Sequence, residues 1–247
     1  MFKTTKALVL REVRYKESDR ILTVFTDSDG KLTVRARGAL RKGSRTAAAT
    51  QQLTCSELTL FGSRGRWTVN EAALIEPFPG LREDIGLFAL GSYFAECLEA
   101  LSVEEEPDGA MLQLGLNALF ALSRGLYPPE RVKAAFEMRL MCLTGYGPNL
   151  SACRACGCEE PAEPLLGLED GSLCCRACRR AGDGTWAALC PGSLAALRYI
   201  ISAPAKRLFS FRAEGAAGER LADAAERYLL AHAERKFSTL DYWKKVR

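Results

Sequence analysis

The sequence contains a single histidine, His232, among its 247 residues. Histidine is the commonest general acid or base near neutral pH, so its scarcity argues against ordinary acid–base catalysis. The chain also lacks the G-x-x-x-x-G-K-[ST] pattern of a P-loop and the G-x-S-x-G pattern of a hydrolase nucleophile elbow. No paired acidic motif replaces them. We therefore expect a protein that binds a partner rather than an enzyme.

Long hydrophobic runs are missing too. The longest uncharged run, Gly109 to Ser123, is too short to span a bilayer. The apolar run Ala7 to Leu10 is followed at once by charged residues and by no small-residue cleavage site, so we expect no secretory signal. These absences predict a cytoplasmic protein with no membrane partner. Its ten cysteines are then expected to stay reduced, which argues against a disulfide framework.

Acidic residues are scarce in the N-terminal third. Residues 1–80 contain 14 Lys or Arg and 8 Asp or Glu, a net charge of +6, whereas the rest of the chain has a net charge of −2. Such asymmetry indicates an anionic partner, although a solvated basic face explains it equally well. Between residues 31 and 45 the chain has six cations and no acid.

The segment GKLTVRARGALRKGSR has a period of two, with one cationic and one apolar face. A polyanion would relieve the repulsion along the cationic face, which favours nucleic-acid phosphates. The alternative is a charged edge that prevents aggregation. Tyr15, Phe61 and Trp67 are candidates for base stacking, although a place in a barrel core would explain them as well. The predicted DNA-contacting residues are Lys31, Arg35, Arg37, Arg41, Lys42 and Arg45.

The chain divides into a strand-rich and a helix-rich part. About five strand-like segments precede residue 76, typical of a small oligonucleotide-binding (OB) barrel. Apolar residues at three-to-four spacing then predict helices from Gly80 onward. The predicted fold is α+β and multidomain. It has a five-stranded, basic OB-type barrel over residues 1–79 that binds nucleic acid, then an α-helical domain over residues 80–247 with a cysteine module at about 148–190.

Six of the ten cysteines lie within CRACGCEEPAEPLLGLEDGSLCCRAC, residues 153–178. Two C-x2-C pairs separated by 18 residues are typical of a zinc ribbon, since each pair supplies two thiolates from one turn. We predict one structural Zn²⁺ per chain, bound by Cys153, Cys156, Cys175 and Cys178. Cys158 and Cys174 are rival ligands. The remaining cysteines, in apolar runs, are expected to be buried thiols: Cys55, Cys97, Cys142 and Cys190.

Two other functions stay open. A zinc hydrolase or deaminase would need an open coordination position, and deaminases place H-x-E before P-C-x-x-C. Here HAE follows the cysteines, and neither pair is preceded by proline. A zinc-ribbon scaffold that binds only proteins is the second alternative. A thioredoxin-type redox centre has no βαβ setting in this sequence.

Several segments together resemble the bacterial RecO recombination-mediator family over essentially the whole chain. The resemblance rests on KALVLREVRYKESDRILTVFTDSDGKLTVRARGALRKGSR, on FEMRLMCLTGYGPNLSACRACG, on GSLCCRAC and on LDYWKK. It implies an OB-type barrel followed by a helical domain that carries a zinc module. It also implies that the four cysteines of the paired motifs match the zinc ligands of those members that keep them.

The same resemblance implies partners and activity. Members bind single- and double-stranded DNA, anneal complementary strands without ATP, and help to load the RecA recombinase. They work with RecR and recognise the acidic tail of the single-strand DNA-binding protein. For that tail we expect an apolar pocket rimmed by cations, with Arg124, Arg131, Lys133 and Arg139 as candidates.

Overall fold

A computed structural model describes residues 1–63 and 65–247. The first five strands form a closed barrel in the order β1-β2-β3-β5-β4, with β4 pairing back onto β1. This is the predicted five-stranded barrel, which is confirmed. The strands are β1 (Phe2–Tyr15), β2 (Asp19–Thr26), β3 (Gly30–Ala36), β4 (Cys55–Ser63) and β5 (Arg66–Glu76).

Closure depends on the pairing of β3 with β5, which is parallel where its neighbours are antiparallel. Val34 is opposite Trp67, and Arg35 is opposite Thr68. The predicted alternation in β3 is confirmed, because Leu32, Val34 and Ala36 are buried in the barrel core. The intervening side chains of β3 face outward, which places its cationic face on the outer surface of the barrel.

The rest of the chain is helical apart from one small sheet. That sheet has the strand order β7-β6-β8. Its strands are β6 (Pro164–Gly167), β7 (Leu173–Cys175) and β8 (Trp186–Ala188). None of the helices in the described part of the chain combines the length and hydropathy needed to cross a bilayer. The helices are α1 (Gly80–Glu83), α2 (Ile85–Leu101), α3 (Gly109–Ser123), α4 (Pro129–Leu143), α5 (Pro191–Ser202), α6 (Ala216–Ala233) and α7 (Ser238–Val246).

The chain forms two compact units. The first contains Met1–Gly125 together with Phe237–Arg247, and the second contains Leu126–Lys236. The barrel thus shares a unit with α1, α2, α3 and α7, while the cysteine module shares one with α4, α5 and α6. The sequence-based division after residue 79 stays a prediction.

Helix α7 was not anticipated from the hydrophobic pattern, and it packs on α2 within the first unit. The rings of Tyr93 and Phe237 meet edge to face with centroids 5.6 Å apart. The Glu96 carboxylate accepts hydrogen bonds from the backbone N–H of Thr239, at 3.2 Å, and from its hydroxyl. This carboxylate satisfies a free N–H in the first turn of α7 and complements the positive end of its dipole.

Candidate nucleic-acid interface and metal site

A cleft of about 800 Å³ crosses the outer face of the barrel. Residues from all five strands line it, together with Arg37, which directly follows β3. The floor of the cleft is therefore the curved sheet itself. Its lining combines cationic, aromatic and small polar side chains: Tyr15, Ile21, Thr33, Arg35, Arg37, Phe61, Ser63, Arg66, Trp67 and Thr68.

Three aromatic rings lie along this cleft. Tyr15 is 41% exposed and Phe61 is 40% exposed, so neither belongs to the barrel core. Trp67 is half-buried, packs against the barrel core and lines the cleft. Its ring lies across the backbone of Gly62, where an added Cβ would come within 2.6 Å of it. Glycine at residue 62 therefore lets the indole lie flat against β4, beside the cleft.

The predicted DNA-contacting residues differ in solvent exposure and in whether they already have partners within the protein. Arg37, Arg41, Lys42 and Arg45 are exposed at the end of β3 and in the loop after it. Arg66, which the sequence analysis did not single out, is also exposed and lines the cleft from the start of β5. Only the β3–β5 pairing brings this residue beside the cationic strand, and no local sequence pattern signals it.

Lys31 and Arg35 already have partners within the protein. The Lys31 ammonium donates to the carbonyls of Glu99, at 2.8 Å, and Ser102, at 3.0 Å, at the end of α2. The Arg35 guanidinium binds the Asp19 carboxylate through Nε at 2.9 Å and also stacks on Tyr15. The prediction that both residues contact DNA is untested. Arg35 also braces β3 against Asp19, and for Lys31 the two carbonyls lead us to expect a link between the barrel and α2 instead of a DNA contact.

Asp19 organises the start of the cationic loop. Its carboxylate accepts a hydrogen bond from the backbone N–H of Gly38 at 2.8 Å. That bond, followed by the one from Arg35, lowers the pKa of Asp19 below its ordinary value. One carboxylate therefore anchors both β3 and the turn that presents Arg41 and Lys42.

The four cysteines of the two C-x2-C pairs converge in the second unit. Their Sγ atoms all lie within 4.8 Å of one another, and those of Cys156 and Cys175 are 3.6 Å apart. Cys153 is buried and Cys156 is exposed. This arrangement could hold a metal ion, and it brings together the four residues that the spacing predicted.

Backbone hydrogen bonds shape each pair. The Cys153 N–H donates to the carbonyl of Cys158 at 2.8 Å, and the Gly157 N–H donates to the carbonyl of Cys153 at 2.9 Å. This tight knuckle requires φ +74° at residue 157, which glycine adopts without strain. The second pair spans the end of β7 and a 3-10 turn over Arg176–Cys178.

The thiols of the cluster have divergent acidities. Burial raises the pKa of Cys153, but N–H groups from Cys175, Cys156 and Ala155 outweigh it and lower that pKa to about 6. The pKa of Cys178 is raised to about 11, first by its hydrogen bond with Cys156 and then by burial. Burial also raises the pKa of Cys175, as do its sulfur neighbours. Crowded sulfurs resist bearing several negative charges unless a cation lies among them.

The other cysteines lie outside this group of four. Cys158 is exposed, and Cys174 is buried with its thiol donating to the carbonyl of Cys175. Cys55 and Cys97 are buried, as expected from their apolar surroundings. Cys142 and Cys190 are only half-buried, which departs from that expectation.

Of the four cations expected to rim a peptide pocket, Arg131 lines one in the described part of the chain. Lys133 is 2% exposed and binds Glu137, at 2.8 Å, and Glu226, at 2.9 Å. Arg139 donates to backbone carbonyls at the end of α5. Arg131 lines a pocket of about 290 Å³ with Phe211.

Comparison with known proteins agrees with this architecture, an OB-like barrel joined to helices that carry a potential metal site. Residues 1–78 match the family model described as Recombination protein O N terminal, and residues 82–241 match Recombination protein O C terminal. The chain belongs to the RecO family. The resemblance drawn from the sequence is therefore confirmed, and family membership supports a role in DNA repair and recombination.

Curated relatives match over nearly their whole length. The DNA repair protein RecO of Acetivibrio thermocellus is 31% identical, covering 97% of this chain and 95% of the relative. That of Desulforudis audaxviator is 32% identical over 98% of this chain and 96% of the relative. The Symbiobacterium thermophilum protein is 29% identical, with 97% and 96% covered.

We expect Lys31→Ala to destabilise the first unit without changing the salt dependence of DNA binding. The substitution removes two charge-assisted hydrogen bonds to the end of α2, at a cost of about 1–3 kcal/mol. Urea denaturation measures the loss. Lys42→Ala, in the exposed loop, is the control and should change stability by less than about 0.5 kcal/mol. A Lys31→Ala protein of normal stability but reduced salt dependence would instead make Lys31 a DNA contact.

Proposed function

We propose that this chain is a DNA-binding recombination mediator. It anneals complementary single strands without ATP and, with RecR, assists the loading of RecA onto DNA coated by single-strand DNA-binding protein. It acts in the bacterial cytoplasm, associated with the nucleoid. Membership of the RecO family supports this proposal, and the cleft on the barrel face supplies its physical basis.

The observation that carries the proposal is the joint presence of cations and aromatic rings in one cleft. Arg37, directly after β3, and Arg66, at the start of β5, line the cleft, and neither side chain is hydrogen-bonded to another described residue. Such cations neutralise phosphates and release counterions. Tyr15 and Phe61 offer rings on which bases stack regardless of sequence. A single strand satisfies both features, because its phosphates and its bases are accessible at once.

Annealing follows from charge neutralisation. Two complementary strands repel each other through their phosphates, and a protein that neutralises some of them lowers the barrier to pairing. No nucleotide hydrolysis is needed, in keeping with the absence of a P-loop in the sequence. We propose that the protein is not an enzyme. A metal bound by four thiolates has no open position for a water, which disfavours a zinc hydrolase or deaminase.

The barrel cleft is tested by removing its charges and its rings separately. We expect Arg37→Gln combined with Arg66→Gln to lower the salt slope of oligonucleotide binding by about 1–1.5, since each single-strand phosphate contact contributes about 0.7. Phe61→Ala should weaken binding at every salt concentration and leave the slope unchanged, because stacking releases no counterions. Fluorescence anisotropy across a potassium chloride series measures both quantities.

A charge-matched control removes Arg124 and Lys245, which are exposed in the same unit but outside the cleft. It should bind and anneal like the wild type. ATP-free annealing of complementary oligonucleotides should fall in the same order as binding. If the cleft variant and the control have equal slopes, the barrel face is not the DNA site. Failure of the wild type to shift DNA at low salt would favour the protein-only scaffold. Activity that chelation abolishes while the fold persists would favour the zinc enzyme.

We further propose that the four-cysteine cluster binds one structural Zn²⁺. A tetrahedral zinc with Zn–S bonds of about 2.3 Å holds its sulfurs about 3.8 Å apart. The 3.6 Å between the Cys156 and Cys175 sulfurs is close to that distance. Zinc would supply the positive charge that the crowded thiolates lack, and it would hold the loop after α4 against β7.

Purified protein should contain about one zinc per chain, following the four-ligand rule. Cys153→Ser and Cys178→Ser should each lose metal and lower the thermal stability of the second unit, because zinc binding is coupled to folding. Cys158→Ser, at the exposed cysteine outside the cluster, is the matched control and should keep its zinc. Full metal content in both cluster variants would contradict the assignment. Metal loss in Cys158→Ser would place that residue among the ligands.

The apolar pocket at Arg131 is the site we propose for the acidic, hydrophobic-ended tail of the single-strand DNA-binding protein. Pro128, Ala134, Phe211 and Leu221 contribute its apolar lining. The Arg131 guanidinium lies 5.8 Å from the Phe211 ring, and its Nε is buried without a hydrogen-bond partner. A carboxylate beside this pocket would pair with the charge of the guanidinium.

Arg131→Gln should weaken binding of a labelled tail peptide by about tenfold, the value of one charge-assisted hydrogen bond. Anisotropy at rising protein concentration measures the affinity. Lys206→Gln removes an exposed cation from the same unit, away from the pocket, and should bind like the wild type. Equal affinity of the Arg131 variant, with an unchanged melting temperature, would remove this pocket from consideration.

A further inference from the structure

The cysteine module has a second cationic cleft, of about 390 Å³, in the second unit. Arg176, Arg179 and Arg180 line it together with a small apolar floor of Leu165, Trp186 and Ala188. All three arginines are exposed. None was a predicted DNA contact, because the cysteine pairs dominate the local pattern.

The predicted zinc ligands and the short turns around them set the backbone that presents these arginines. Arg176 lies between Cys175 and Cys178, and its backbone N–H donates to the carbonyl of Glu163 at 3.0 Å. The 3-10 turn over Arg176–Cys178 ends at Arg179, whose backbone N–H donates to the carbonyl of Arg176. The Arg180 backbone N–H then donates to the Asp183 carboxylate at 2.9 Å. The three guanidinium groups thus extend from a fixed frame rather than from a free loop.

Arg154, the arginine within the first C-x2-C pair, already has carboxylate partners in the protein. Arg154 binds the carboxylates of Asp170, at 2.7 Å, and Asp183, at 3.3 Å, and stacks on Trp186. Among the described residues, no carboxylate forms an ion pair with the side chains of Arg176, Arg179 or Arg180. The nearby Asp183 is occupied by Arg154 and by the loop backbone. The charge of Arg180 acts on Asp183 without a direct ion pair, so in the described part of the chain the module has three guanidinium groups that no carboxylate binds directly.

An unused hydrogen-bond donor lies beside them. Trp186 is 92% buried, since only 8% of its surface is exposed, and its indole Nε1 has no hydrogen-bond partner. A buried N–H without a partner costs free energy comparable to a lost hydrogen bond. Because that Nε1 has no exposed surface, an oxyanion bound in the cleft would reach it only after a shift of the Trp186 side chain.

We propose that this cleft binds phosphates of a nucleic-acid strand, as a site separate from the barrel face. Guanidinium groups match phosphate oxygens in a bidentate way, and three within five residues suit a repeating polyanion. An acidic peptide with a hydrophobic end would need a more apolar lining than this cleft has, since arginines supply three of its seven lining residues. With one site on each unit, a single chain can hold two strands, which annealing requires. The role in holding a second strand rests on the proposed annealing function, whereas the binding of phosphates by the cleft does not.

The test compares four full-length proteins. They are the wild type, the module variant Arg176→Gln/Arg179→Gln/Arg180→Gln, the barrel variant Arg37→Gln/Arg66→Gln, and the combination of the two. Anisotropy with a labelled oligothymidylate across a salt series measures the slope, and a stopped-flow assay measures annealing. The module variant should lower the slope by about 2, at about 0.7 for each lost phosphate contact. It should also slow annealing by about tenfold, while the barrel still binds a single strand. The combined variant should lose binding at moderate salt.

A charge-matched control replaces three exposed cations elsewhere in the second unit, Lys206→Gln/Arg207→Gln/Lys236→Gln. Equal slope and annealing rate in the module variant and this control overturn the proposal. The module variant could lose metal and DNA binding together. In that case the single variant Arg180→Gln, two residues beyond the last cysteine, shows whether the arginines themselves contact DNA. A normal slope in that variant means that the arginines only balance the charge of the thiolates.

Two further outcomes separate this site from the others. Loss of tail-peptide binding with unchanged DNA binding would make the cleft a peptide site, which overturns the proposal. The barrel variant could have the salt slope and annealing rate of the wild type while the module variant has lower values. That result would contradict the proposed function of the barrel cleft and support this second site.

Discussion

The parallel pairing of β3 with β5 is the contact on which the first unit depends. Only two residue pairs form it, yet it closes the barrel and leaves the sheet without an open edge. It also sets the cationic strand beside Trp67 and Arg66, so cations and aromatic rings share one surface. Without that pairing the cationic face of β3 would lie at an exposed edge, with Tyr15 as its neighbouring ring and without Trp67 or Arg66 beside it. The same strand pairing therefore both closes the barrel and brings the lining of the cleft together.

Within the second unit, the cysteine module is organised around sulfur, whereas α4, α5 and α6 bury an apolar core. Its three strands of three or four residues are too short to be stable alone, and four thiols converge beside them. The same cysteines fix the turns from which the arginines of the module extend. The four cysteines, which the sequence indicates only as a structural metal site, thus also position the arginines on the surface of the module.

Local patterns predicted much of this molecule. The alternation of Leu32 and Val34 with charged residues predicted the cationic face, and the C-x2-C spacing predicted which four sulfurs converge. Both signals are local, since period and spacing depend on chain geometry within a few residues. The sequence could not predict which charges would be used internally. Lys31 meets carbonyls about 70 positions away, and Lys133 meets Glu226 on another helix. Such pairs are fixed by tertiary packing, which leaves no mark on the local sequence.

The return of α7 to the first unit has a consequence for synthesis. The chain leaves that unit after Gly125 and re-enters it only at Phe237, so the whole second unit is an insertion between its parts. During translation the barrel and its first helices emerge early, but Phe237, whose ring meets Tyr93, emerges only after the whole second unit. The ribosome must therefore release a finished second unit before the first one can close. A nascent chain stalled before residue 237 would expose an apolar face of α2, a surface that chaperones recognise.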